Sequence, residues 1–193
     1  MDIILFGPPG AGKGTQAAAA CDAASVIHVS TGDIFRHHLK NGTPLGQKVR
    51  SYMDEGKLVP DEVVVEVVAS RLEQDDAVGG VLFDGFPRTV NQARLLQQWL
   101  QDHGRNIDLV LNLVVPDAVV EARLSGRRSC LNCGATYHVS HSPPAEDGSC
   151  TRCGAPEVVQ RSDDQPETVR KRIATYHAPV SYTHLTLPTI CSV

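Results

Sequence analysis

The sequence predicts an α/β protein, a parallel sheet core with helices on both faces, on the strength of three observations. Short apolar runs alternate with helical patterns along most of the chain. A glycine-rich stretch joins the first run to the first helix. The 193 residues are 41% hydrophobic and 21% charged, enough to bury a core within one domain that carries small inserts.

Ile3 to Phe6 reads as a short buried strand, and alanine-rich Lys13 to Ala24 as the helix behind it. Val26 to Val29 adds one more strand. Residues 30 to about 60 read as short helices joined by turns at Asn41-Gly42 and Glu55-Gly56. Val81 to Phe83 is the next apolar run, followed by a helix from Thr89 to about Gln101. Leu109 to Val115 is another strand, and Pro116-Asp117 starts a helix that runs to about Arg127. From 128 to about 160 the alternation breaks into a small insert with Pro143-Pro144 and a quasi-repeat, CLNCGA and CTRCGA. The chain thus divides into core (1–29), a helical segment (30–59), core (60–127), a cysteine-bearing insert (128–160), a core helix (161–177) and a tail (178–193).

A net charge of −4 supplies no basic field for general nucleic-acid binding. No run approaches the ~18 apolar residues of a membrane span. DIILF leads straight into the glycine loop without a signal-peptide pattern, so a cytoplasmic location is expected.

LFGPPGAGKGTQ (Leu5 to Gln16) carries the clearest chemistry. In a strand–loop–helix setting its backbone N–H groups form an anion nest, and the following helix adds its positive N-terminal dipole. Lys13 would reach the β/γ phosphates, and the Thr15 hydroxyl could meet phosphate or hydrated Mg²⁺. Gly14 stands between Lys13 and Thr15, so GxxxxGK[ST] is not met strictly. The bland alternative is an ordinary glycine turn. The cysteines form two pairs, Cys130-x₂-Cys133 and Cys150-x₂-Cys153, sixteen residues apart and each followed by glycine. That spacing suits a four-cysteine zinc ribbon, structural or nucleic-acid-binding, with disulfides as the competing reading. Cys21 and Cys191 are unpaired and expected to be inert.

The loop GPPGAGKGT resembles that of nucleoside monophosphate kinases, adenylate kinases in particular. STGDIFR (Ser30 to Arg36), KLVP (Lys57 to Pro60) and FDGFPRTVNQA (Phe83 to Ala93) extend the resemblance. Singly, Arg36 reads as a solvated charge and Asp84-Gly85 as a strand-end turn; it is their joint spacing that speaks.

The resemblance implies an α/β P-loop core with an inserted helical AMP-binding segment and a zinc lid. Gly10, Ala11, Gly12, Lys13, Gly14 and Thr15 would hold ATP phosphates, with Asp84 orienting Mg²⁺. Thr31 would lie beside the adenine of AMP, and Lys57, Leu58 and Val59 would offer backbone contacts. Gly85, Phe86, Pro87 and Arg88 would receive the acceptor, Arg36 and Arg88 gripping its phosphate and Gln92 meeting its adenine edge. Arg123 and Arg127 would face ATP, while Arg161 and Arg172 converge from the far flank of the insert. Thr136 and Tyr137 would touch ATP from the lid. Arg170 and Lys171 read as a charged surface, and Asp163 and Asp164 as hinge or salt-bridge residues.

The expected reaction is ATP + AMP ⇌ 2 ADP, serving adenine nucleotide homeostasis, in a monomer using Mg²⁺ and structural Zn²⁺ and binding neither nucleic acid nor membrane. A kinase for UMP, CMP or GMP, an inactive truncated homologue, and a zinc-ribbon nucleic-acid binder are the alternatives. The match stops near His177. SYTHLTLPTICSV (Ser181 to Val193) matches neither the expected strand, nor the adenine loop, nor the closing helix, and reads as the product of a shifted frame or a cloning scar. The last core strand and helix are therefore expected to be missing, the sheet edge unfinished, the tail poorly ordered and the ATP adenine without one wall.

Overall fold

The computed structural model describes residues 1–180 and 190–192. In chain order its elements are β1 (Asp2–Phe6), α1 (Lys13–Ala24), β2 (Ile27–Ser30), α2 (Thr31–Lys40), α3 (Pro44–Asp54), α4 (Asp61–Leu72), β3 (Val81–Asp84), α5 (Val90–Asp102) and β4 (Ile107–Asn112). Then come α6 (Asp117–Gly126), β5 (Arg127–Cys130), β6 (Thr136–His138), β7 (Val158–Val159), α7 (Pro166–Thr175) and β8 (Ile190–Ser192).

All five residues of β1 are buried, as a central parallel strand covered on both faces requires. The main sheet runs β2-β3-β1-β4-β8, all parallel, and a smaller antiparallel sheet runs β6-β5-β7. Because side chains alternate along a strand, Ile4 and Phe6 join one core with Val29, Val81, Phe83 and the apolar faces of α2 to α5. Ile3 and Leu5 point the other way and meet Ala17 and Cys21 of α1. A third cluster, Val120 and Leu124 against Val169 and Ile173, clamps α6 to α7. Those two helices are the roots of the small sheet. Chain order reverses beside β1, so the loops after β1 and β3 open into one crevice at the carboxyl ends of the strands.

The helical segment is built from local signals. Ser30 caps α2 by accepting the Asp33 N–H at 3.2 Å, and Thr43 caps α3 by accepting that of Gly46 at 3.1 Å. Gly42 and Gly56 take the positive φ (61° and 69°) that ends each helix.

Two readings are corrected. DEVVVEVVASRL, not read as an element, is α4 despite its β-branched residues. Asp61 and Glu62 suit its N-terminal dipole, and Val64, Val68 and Leu72 recur every four residues on the buried face, so packing outweighs β propensity. The last strand, expected to be missing, is present: β8 pairs with β4 through Val110↔Ile190, Leu111↔Cys191 and Asn112↔Ser192. An edge strand asks chiefly for backbone groups in register, which a sequence without the family pattern can supply. Residues 181–189 and 193, on which the expected disorder of the tail also rests, lie outside the described residues. Among the described residues no helix is long and apolar enough to cross a membrane.

Candidate active site

The loop between β1 and α1 lies tight against its neighbours. Gly7, Gly10 and Gly12 all have positive φ (141°, 80° and 104°). A Cβ on Gly7 would come within 2.9 Å of the Leu113 carbonyl, and one on Gly10 within 2.8 Å of Leu124. Lys13 folds under the loop, its Nζ donating to the carbonyls of Gly7 (2.7 Å) and Pro8 (2.9 Å). Burial lowers its pKa to about 8 against the opposing pull of Asp84, with Arg88, Arg172 and Arg127 adding to the depression. Thr15 is exposed on the cleft. A Cβ on Gly14 would meet the Asp84 carboxylate at 3.9 Å, an ordinary van der Waals contact. His28 Nε2 lies 3.4 Å from that same carboxylate, a partner the sequence reading missed.

The acceptor side is organised by the turn after β3. Gly85 has φ 75°, and its carbonyl accepts from Thr31 Oγ1 (3.0 Å) and Arg88 Nε (2.7 Å). Burial, then the neighbouring Arg172, lowers the Arg88 pKa to about 10. Arg36 reaches the cleft from α2 and is paired with Asp33 at 2.5 Å. Gln92 is buried, with its carboxamide held at both ends, by the Arg88 N–H and by Asp61. Lys57, Leu58 and Val59 line the same cleft, the Lys57 amine turned out to Glu55.

The remaining arginines come from α6, the start of β5, the stretch before α7, and α7 itself. Arg123 Nη1 donates to the Ala11 carbonyl at 3.2 Å, tying α6 to the glycine loop. Arg127 makes a paired contact with Asp164 (2.7 and 2.5 Å), and Arg172 reaches Asp164 (3.1 Å) and Asp163 (3.0 Å). Asp163 and Asp164 thus act as the salt-bridge residues expected of them. Burial alone would raise the Asp163 carboxyl, but Arg172 and the cations around it hold it below the usual range. Arg161 bonds Ser129 Oγ at 2.8 Å, and burial, then Arg36, lowers its pKa to about 10. Arg36, Arg127, Arg161 and Arg172 act on one another as like charges, and Asp163 and Asp164 offset them. Arg128 turns back to the Ser125 and Arg127 carbonyls, and Arg170 and Lys171 pair with Glu121 and Glu167 on the surface.

Lys13, Arg36, Arg88, Arg123, Arg127, Arg161 and Arg172 line one cleft of about 1440 Å³, together with Thr15, Thr31, Asp84 and Gln92. Lys40 Nζ donates to the Leu131 carbonyl (2.9 Å) and Ser162 Oγ to Asp54 (3.0 Å), so the helical segment and the cysteine insert with its flank meet across it. A second cavity, about 680 Å³, lies where α6 meets the insert. Ala118, Val119, Arg123 and the stacked rings of His138 and His141 (centroids 4.6 Å apart) line it.

The four cysteines are thiols whose sulfurs all lie within 4.8 Å of one another, with Cys130–Cys153 and Cys133–Cys150 at 3.6 Å. Gly134 and Gly154, at φ 73° and 70°, close matching turns after each pair. Tyr137 is buried among the cysteines, its hydroxyl on Cys150 Sγ (3.1 Å) and Thr151 Oγ1 (2.9 Å). Its polar end serves the cluster, while Thr136 beside it stays exposed.

The family model described as adenylate kinase matches residues 5–183. The chain belongs to the adenylate kinase family. It is 53% identical over 178 residues to an adenylate kinase of Caldicellulosiruptor bescii, covering 92% of this chain and 82% of that protein. To adenylate kinases of Agathobacter rectalis and Clostridium perfringens it is 51% identical, over 177 and 176 residues, covering 92% and 91% of this chain and 82% and 81% of those proteins. Its reaction is therefore that of an adenylate kinase, phosphoryl transfer between ATP and AMP to give ADP, with Mg²⁺ accompanying ATP. The alternative readings as a kinase for another monophosphate, an inactive homologue or a nucleic-acid-binding ribbon give way to it.

Proposed function

We propose that the cleft holds ATP on the glycine loop and AMP on the turn after β3, with phosphate passing between them along the row of arginines. One observation carries this assignment: Lys13, Arg36, Arg88, Arg123, Arg127, Arg161 and Arg172 come from well-separated stretches of sequence and all line the same cleft. Phosphoryl transfer asks the protein for alignment and for neutralisation of spreading charge rather than for a base. The loop amides and Lys13 bind the ATP phosphates. Arg36 and Arg88 hold the acceptor phosphate, and Arg123, Arg127, Arg161 and Arg172 stabilise the transferring group. Thr31, Gln92 and the backbone of Lys57 to Val59 seat the acceptor base. The base of ATP lies in the second cavity, whose Arg123 also bonds the glycine loop. Asp84 and Thr15, which both line the cleft, would hold the Mg²⁺ that comes with ATP.

Four sulfurs around Zn²⁺ at ~2.3 Å would stand about 3.8 Å apart, so separations of 3.6 Å to within 4.8 Å fit that ion. Cys130, Cys133, Cys150 and Cys153 hold zinc as a structural staple for an insert too small for a core of its own. Segments 30–59 and 128–160 close over the substrates and exclude water, the competing acceptor. The protein works as a cytoplasmic monomer, a reading supported by thiols spaced for a metal rather than for disulfides.

The test is to mix purified protein with ATP, Mg²⁺ and AMP, UMP, CMP or GMP and follow ADP. Turnover confined to AMP, and titrations in which Arg88→Ala loses AMP affinity while keeping ATP affinity, would uphold the two-site division. Equal losses for both nucleotides would overturn it.

A further inference from the structure

We infer that Asp61 is a positioning residue that fixes the direction of the Gln92 carboxamide and so sets the preference for a 6-amino over a 6-oxo purine. This rests on the proposed seating of the acceptor base against Gln92. Asp61 opens α4, and its two oxygens take three donors from the start of α5. Oδ1 accepts from Gln92 Nε2 at 2.7 Å; Oδ2 accepts from Thr89 Oγ1 at 2.9 Å and Asn91 Nδ2 at 3.0 Å. At its other end Gln92 Oε1 accepts the Arg88 backbone N–H at 2.7 Å. Gln92 is 1% exposed, yet it lines the cleft.

The two ends of a carboxamide have nearly the same shape, and a half-turn exchanges donor for acceptor. Here a half-turn would set the Gln92 oxygen against a carboxylate and its NH₂ against a backbone N–H, two clashes on a side chain that is itself buried and therefore costly. Asp61 therefore admits one direction only. Thr89 is set by the same carboxylate: its hydroxyl proton goes to Asp61, which leaves a lone pair for the Gln92 N–H at 3.1 Å, the cap of α5.

One N–H and one lone pair of Gln92 remain for a ligand. The edge of adenine offers a 6-amino donor beside a ring-nitrogen acceptor, while hypoxanthine and guanine offer a 6-oxo acceptor beside an N1–H donor. The two patterns are each other's exchange. An amide held one way reads one of them; an amide free to turn reads both.

Steady-state kinetics with AMP and IMP as acceptors test this, using the parent, Asp61→Asn, Gln92→Leu and the double variant. In Asp61→Asn the new NH₂ can donate to a turned Gln92. KM for AMP should rise about tenfold, the AMP:IMP ratio of kcat/KM should fall at least as far, and KM for ATP should stay within about twofold. In the Gln92→Leu background Asp61→Asn should cost nothing further in KM for AMP, because its action passes through Gln92. Asp61→Glu, which keeps a carboxylate, should recover part of the preference. Should Asp61→Asn not fold, Asp61→Ser, whose hydroxyl donates or accepts, carries the same expectation. An unchanged AMP:IMP ratio, or equal loss in both Gln92 backgrounds, would reduce Asp61 to a clamp between α4 and α5. If Gln92→Leu itself leaves AMP kinetics unaltered, the seating of the base fails with it, and the two failures are told apart by that variant.

Discussion

Lys13 is the residue on which the proposed chemistry turns, and its amine is held by the carbonyls of its own loop. Replacing its two carbonyl partners with phosphate oxygens exchanges neutral acceptors for charged ones. Lys13→Ala should lower kcat by ~10²–10³ in a coupled ADP assay, the usual cost of one such electrostatic contact, while circular dichroism stays that of the parent. Its pKa of about 8 adds a second expectation. The folded value lies below the unfolded 10.5, so between those pH values the unfolded chain carries a proton that the folded chain has lost. Stability contributed through Lys13 therefore rises with pH across that window. Bound triphosphate pulls the proton back. ATP binding should take up a proton at pH 9 but not at pH 6.5, read by calorimetry in two buffers of different ionisation enthalpy, and Lys13→Ala should abolish the difference. Arg88→Lys should recover little of what Arg88→Ala loses, because a point charge cannot reproduce a planar fork.

Among the elements, the two inserts are held by different physics. The helical segment rests on close backbone packing: a Cβ on Gly46 of α3 would collide with the His38 carbonyl of α2. Gly46→Ala should cost about 1–3 kcal/mol in denaturant unfolding, since a carbonyl in a helix cannot step aside. The cysteine insert has its four sulfurs gathered at one point, where the proposed zinc would hold it together. About one zinc per chain is expected on metal analysis, and chelation should speed hydrogen exchange in β5 to β7 before it affects β1, β3 or β4. The order follows from the Val120, Leu124, Val169 and Ile173 cluster, which clamps the flanking helices α6 and α7 to each other without the zinc, while Arg123 ties α6 to the glycine loop.

Taken whole, the molecule is a sheet whose strand ends open into one cleft and two inserts that meet above it. Its far strand, β8, has only three residues, yet it covers the free edge of β4. Removing residues 190–193 should cost about 1–3 kcal/mol, the worth of a few ladder hydrogen bonds, and leave AMP affinity unchanged because the acceptor site lies on β2 and β3. Calorimetric melting with an AMP titration would check both halves of that statement.

What local rules govern was legible in the amino-acid order: the glycine loop, the short helices and turns of residues 30–56, and the cysteine spacing. The same order carried the family motifs that name the residues of the cleft. Backbone geometry is written within a few neighbouring residues, so LFGPPGAGKGTQ and CLNCGA can be read without a fold. Packing in three dimensions settled what depends on partners far away in the chain. Valine-rich α4 is helical because a core face waits for it, and the tail gained a strand because β4 had an open edge. Tyr137 gives its hydroxyl to Cys150 because the insert is too small to bury it elsewhere. Asp61 shows the division most plainly. As one carboxylate at the start of a helix it announces nothing, and its meaning comes from Gln92, thirty-one residues on, which only the packing of α4 against α5 brings within 2.7 Å.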